Sequence, residues 1–150
     1  MEPSNKDQEK KKISEVKILP VQFLSEENQE NISINTNTST QPYKEQITNQ
    51  AFKFHSEGNI SEAIKYYQIF INKGFKDHRV FSNYGIIVKN LGKLQKAELL
   101  QRKAIEINPN FADAHSNLGN TLNDLGKSEQ AELSYRKAIE IKPDYVEAST

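Results

Sequence analysis

From residue 44 onward, the apolar and small positions of the chain recur at a fixed offset of 34. That offset superposes Gly58, Gly92 and Gly126, and likewise Ala63, Ala97 and Ala131. It also aligns Phe54 with Val88 and Leu122, and Ile71 with Ile105 and Ile139. The stretch LGKLQKAELLQRKAIEINPNF, starting at Leu91, returns at Leu125 as LGKSEQAELSYRKAIEIKPDY, identical at 13 of 21 positions. An offset held through three copies marks a repeat, and the copies run over residues 44–77, 78–111 and 112–145.

Each copy predicts a helix, a turn and a helix. In copy three, Ala114, Leu118, Leu122 and Leu125 recur at helical spacing and predict a first helix over about residues 113–125. Gly126 supplies the left-handed position that ends it. Ser128 is the expected N-cap of the second helix, whose inner face carries Ala131, Tyr135, Ala138 and Ile139. Pro143 stops that helix, because proline cannot continue the hydrogen-bond ladder. Ser61 and Leu94 mark the second-helix starts of the other two copies. Ala63, Ala97 and Ala131 are small where two helices must approach closely. One helix pair cannot bury its own apolar face, so neighbouring pairs must cover it, and about three copies are the minimum for a stable array.

Residues 1–43 have a different composition. Five lysines stand against seven acids, a net of −2, and NISINTNTSTQP is polar low-complexity chain. Such a segment buries too little apolar surface to offset the entropy of ordering, which predicts a disordered tail and linker. Its one apolar run, VKILPVQFL at residues 16–24, reads first as an incidental cluster. Second, it reads as a linear motif that docks on a partner or folds back on the repeats.

Composition narrows the function classes. Twenty basic and twenty acidic residues cancel, which argues against bulk attraction to nucleic acid or anionic lipid. The chain has no cysteine, which excludes disulfides and thiolate metal sites. No apolar run reaches the roughly 20 residues of a membrane-spanning helix, and no signal-peptide pattern follows the N-terminus, so a cytoplasmic protein is expected. His55, His78 and His115 form no metal-binding spacing, no glycine-rich phosphate loop occurs, and no catalytic constellation emerges. Neither an enzyme nor a cofactor is expected. Three matches to the glycosylation acceptor pattern, at Asn31, Asn37 and Asn59, are read as chance.

The copies resemble the tetratricopeptide repeat. Its hallmark positions are occupied in copy three by His115, Leu118, Gly119, Leu122, Ala131, Tyr135, Ala138 and Pro143. In copy two they are Phe81, Tyr84, Gly85, Val88, Ala97, Gln101, Ala104 and Pro109, and copy one departs from the pattern at Gln50, Phe70 and Phe75. His115 replaces the usual large residue and is expected to be partly buried at a helix–helix contact. The resemblance implies an all-α, right-handed solenoid of three helix-turn-helix repeats spanning residues 44–150, with its first helices lining a concave groove. Residues 146–150 look like the start of a fourth copy, and the closing helix usual in the family is missing. Leu133 and Ile141 would then face water and could drive self-association or filament assembly.

The same resemblance assigns the groove. Asn49, Asn83 and Asn117 occupy its central position in the three copies, preceded by Thr48, Ser82 and Ser116. An asparagine amide both donates and accepts, so a ladder of them can read an extended peptide backbone, as in the similar arrays of O-linked N-acetylglucosamine transferases. Phe52, Ile86 and Asn120 come next, then His55, Lys89 and Asn123, grading the groove from apolar to polar, with Phe52 and Ile86 offered to an apolar side chain. The co-chaperone clamp for a C-terminal carboxylate is rejected. Its positions hold Thr48, Phe52, Asn83, Asp113 and Asn117, of which only Asn83 fits, and Asp113 would repel a carboxylate. The expected function is a noncatalytic interaction module that binds an extended peptide or partner helix. The alternative is a truncated or standalone substrate-recruitment array of a transferase system.

Overall fold

The computed structural model describes residues 40–146, and within them the chain forms six α-helices and no strand. These are α1 (Thr40–Ser56), α2 (Ile60–Asn72), α3 (His78–Asn90), α4 (Leu94–Ile107), α5 (Ala112–Asp124) and α6 (Ser128–Ile141), followed by a 3-10 turn at Pro143–Val146. They fall into two compact units divided after Phe75. The first holds the α1–α2 hairpin, and the second holds the hairpins α3–α4 and α5–α6. The expected disorder of the tail, the segment at residues 16–24 and the chain after residue 146 lie outside the described residues.

One boundary differs from the sequence reading. Helix α1 begins at Thr40, so residues 40–43 belong to the first repeat and not to the linker. Pro42 is tolerated there because the first-turn N–H groups have no intrahelical partner to lose. Tyr43 then packs its ring edge-on against Phe75, with centroids 6.2 Å apart, and Phe75 in turn packs on Phe70 at 5.5 Å. Phe75 stands where the other copies carry proline, and this aromatic cluster closes the base of the first hairpin.

The turns within hairpins share one chemistry. Gly92 and Gly126 sit at φ 82° and 78°, the left-handed conformation that glycine adopts without strain. At the second, the Gly126 N–H donates to the Asn123 carbonyl and the Lys127 N–H to the Leu122 carbonyl, 3.0 and 2.8 Å. This pair of bonds satisfies the last carbonyls of α5. The Lys127 carbonyl then accepts the Ala131 N–H at 2.9 Å, so a single residue closes one helix and opens the next. This corrects the expected cap: Lys127, not Ser128, is the N-cap of α6, and no side chain caps it. A turn this short leaves no room for a separate capping residue. The first helix of copy three likewise begins at Ala112, one residue earlier than expected.

Packing follows the small residues. Ala63, Ala97 and Ala131 are buried, as the sequence predicted. In the second unit Leu118 and Leu122 pack with Ala131, and Ile105 and Tyr135 close around them. Each such leucine stabilises by roughly 1.5–3 kcal/mol. The tightest approach is at Gly119, where an added Cβ would lie 2.6 Å from the Tyr135 ring. Gly85 faces Gln101 in the same way. His115 is buried, and its Nε2 lies 2.8 Å from the Pro109 carbonyl. The ring thus holds the loop that enters α5.

Substituting Gly119→Ala forces the Tyr135 ring out of place. It is expected to destabilise the protein by about 1–3 kcal/mol, read as a lowered urea midpoint, with an unchanged helical circular-dichroism signature before the transition.

Candidate functional site

In the second unit the first helices α3 and α5 lie side by side, and three side chains tie them to α4. The Ser82 hydroxyl donates to Gln101 Oε1 at 2.9 Å, and Gln101 Nε2 donates back to the Ser82 carbonyl at 2.9 Å. The same hydroxyl accepts from Asn117 Nδ2 at 3.3 Å. Ser82 is only 1% exposed, so this network lies inside the packing. Buried polar groups of this kind must be paired, and here each finds its partner within the protein. Ser82 is therefore a structural node and not a surface group, contrary to the groove assignment. Thr48 is corrected on the same ground: it is buried, and its hydroxyl donates to the Lys44 carbonyl one turn earlier, at 2.8 Å.

The remaining residues of this face are reachable. Asn83, Ile86, Lys89, Ser116 and Asn117 are half-buried, while Asn120 and Asn123 are exposed. Lys89 reaches across from α3 to Asp124 of α5, 3.6 Å between charged groups. Asn120 Oδ1 accepts from the Tyr135 hydroxyl at 2.6 Å, which fixes the amide in one orientation with its N–H groups left to donate. Burial, aided by the negative charge of Asp124, raises the Tyr135 pKa, so the phenol keeps the proton it donates. The central asparagines are thus not equivalent. Asn117 is anchored through its amide nitrogen, whereas no internal bond holds Asn83.

The first unit repeats the theme with other side chains. Asn49 is exposed, and Phe52 and His55 are half-buried on α1. Tyr67 of α2 is fully buried and places its hydroxyl 2.8 Å from His55 Nδ1, with the two rings edge to face at 5.9 Å. Burial lowers the His55 pKa.

Sequence reasoning missed the role of one repeated position. Gln101 and Tyr135 stand at one hallmark position of the resemblance, and Tyr67 is its equivalent in copy one. In the structure each passes beneath a first helix and bonds a residue of it: His55, Ser82 and Asn120 respectively. For two of them the signal was present in the glycines they face, Gly85 for Gln101 and Gly119 for Tyr135, which leave room for the side chain. No cluster of three or more metal-ligating side chains occurs among the described residues, and no described helix is long and apolar enough to cross a membrane.

Residues 78–111 and 112–145 each match a family model described as the tetratricopeptide repeat. The sequence matched no curated protein. Among solved structures, the chain is similar to the first TPR domain of Spaghetti (RPAP3) bound to the HSP90 peptide SRMEEVD. That likeness has 24% identity and a TM-score of 0.65, and covers 71% of this chain and 84% of that one. The TPR2B domain of yeast Sti1, in a complex with pHsp70, is 21% identical at a TM-score of 0.62, covering 71% and 85%. A mutant O-GlcNAc transferase of Thermobaculum terrenum is 24% identical at a TM-score of 0.64 over 68% of this chain and 20% of that one.

The burial of His55 makes a pH dependence. The folded state holds His55 below its unfolded pKa of 6.5, so its contribution is full above pH 6.5 and is lost as pH falls through the lower folded value. Urea midpoints measured at about pH 7.5 and pH 5.5 should fall further for the wild type than for His55→Gln, which has no proton to take up.

Proposed function

Because the chain is a tetratricopeptide-repeat protein, we propose that it works as a noncatalytic protein-interaction module, with an extended peptide as ligand on the first-helix face of the second unit. One observation supports this most: Asn120 is held by Tyr135 at 2.6 Å with its amide donors left over. Beside it, Asn83 has a free amide and Asn117 a free amide oxygen. Donors and acceptors of this kind, fixed on rigid helices, suit a peptide backbone, whose N–H and C=O groups alternate. Half-buried Ile86 offers an apolar spot among them. Each hydrogen bond contributes only about 0.5–1.5 kcal/mol, so affinity needs several in register, which a repeat supplies. The peptide-bound structures of Spaghetti and the pHsp70 complex of Sti1 agree with this class of ligand.

The chemistry of that ligand differs from the acidic HSP90 peptide seen with Spaghetti. Lys89, a cation that could meet a terminal carboxylate, already has Asp124 beside it. The reading of the chain as a recruitment array is supported by the Thermobaculum terrenum transferase, where the matching part makes up 20% of a larger chain.

The test uses random peptides displayed on phage, selected on the full chain. Asn83→Ala combined with Asn120→Ala should weaken a selected peptide by about tenfold or more, as two lost hydrogen bonds would. An unchanged affinity in that double variant overturns the reading. The peptide SRMEEVD itself is expected not to saturate the protein below millimolar concentration in calorimetry, and micromolar binding would restore the carboxylate clamp.

A further inference from the structure

The outward faces of α4 and α6 carry the same pattern. Leu99, Arg102, Lys103 and Glu106 of α4 recur as Leu133, Arg136, Lys137 and Glu140 of α6. Leu99 and Leu133 are 69% and 66% exposed, while Ala97 and Ala131 on the opposite sides of their helices are buried. Single exposed leucines need no explanation, but the same leucine left in water in two successive repeats suggests a surface. A following repeat is not what covers it. Helix α4 is followed by a complete repeat, and Leu99 still faces solvent.

Charge order identifies the occupant. On the Leu133 face, Glu129 and Gln130 lie one turn toward the N-terminus, and Arg136 and Lys137 one turn toward the C-terminus, all exposed. An apolar centre with an acid before it and bases after it is complementary to its own reversed copy. We infer that a second copy of this chain docks here, with the two α6 helices antiparallel about a twofold axis through Leu133. Leu133 then meets Leu133 of the second copy, and Glu129 faces Lys137 of the second copy, twice by symmetry. A parallel arrangement would bring like charges together instead.

The present partners of these charges do not prevent it. Arg136 meets Glu132 at 2.6 Å and Lys137 meets Glu140 at 3.3 Å, both on exposed surface, where such pairs contribute little and exchange readily. Helix α4 is held beside α6, since Lys127 pairs with Glu98 at 3.2 Å and Arg102 donates to Gln130 at 3.4 Å. Two helices of 14 residues side by side offer a footprint of about 400 Å², half the roughly 800 Å² per partner of a standard interface. The dimer is accordingly weak, in the micromolar range or above. The inference is independent of the peptide reading, which uses the opposite helices of each pair.

Sedimentation velocity on the full chain at low ionic strength, from about 1 µM to about 1 mM, tests it. The wild type should show a reversible monomer–dimer equilibrium, and Leu133→Asp should remain monomeric with unchanged circular dichroism. Glu129→Lys and Lys137→Glu place like charges across the axis, so each alone should dimerise at least tenfold more weakly. An equimolar mixture of the two should recover dimer as a heterodimer, because the opposed charges are complementary again. A wild type that stays monomeric throughout, a dimer that survives Leu133→Asp, or a mixture no stronger than its components would each overturn the proposal.

Discussion

Everything else in this protein depends on how closely the two helices of a repeat can lie. Each hairpin buries small residues on both of its helices: Ala51 and Ala63, Gly85 and Ala97, Gly119 and Ala131. A Cβ at Gly85 or Gly119 would fall inside van der Waals distance of Gln101 or Tyr135, so the space left by the glycine is filled by a long side chain from the neighbouring helix. Dense packing of that kind fixes the separation of the helices more strictly than any single hydrogen bond does.

The close approach also gives the surface its order. A side chain that passes under a helix brings a polar tip to its far side, and three different tips do three different things. The Tyr135 hydroxyl orients an exposed amide at Asn120. The Tyr67 hydroxyl meets a half-buried imidazole at His55. Gln101 turns its amide onto Ser82 and, through that hydroxyl, joins three helices in one buried network. The scaffold repeats, and its outward chemistry varies from copy to copy.

Two kinds of surface result. The first helices present amides, a lysine and an isoleucine. The second helices present leucines framed by ordered charges. Helix amphipathicity explains why a core-facing stripe exists on each, but not why Leu99 and Leu133 sit outside it. Their recurrence at one repeat position, with the same charges around them, is what separates them from scattered surface apolar residues.

The sequence alone determined the repeat, the two helices in each copy, the left-handed glycine turns and the small residues of the helix contact. All of these follow from local rules: an apolar period, a backbone angle that only glycine adopts freely, and a volume limit. It also indicated which helix faces carry polar residues. The tertiary structure alone decided what those residues can do. Ser82 and Asn83 are neighbours in sequence, yet one is enclosed by Gln101 and Asn117 and the other lies half-open. Phe75, in the place of a proline, packs on Tyr43 and Phe70. Burial and partner choice depend on side chains that meet across 15 to 35 positions of chain. No local pattern encodes such meetings, because they exist only once the helices have packed.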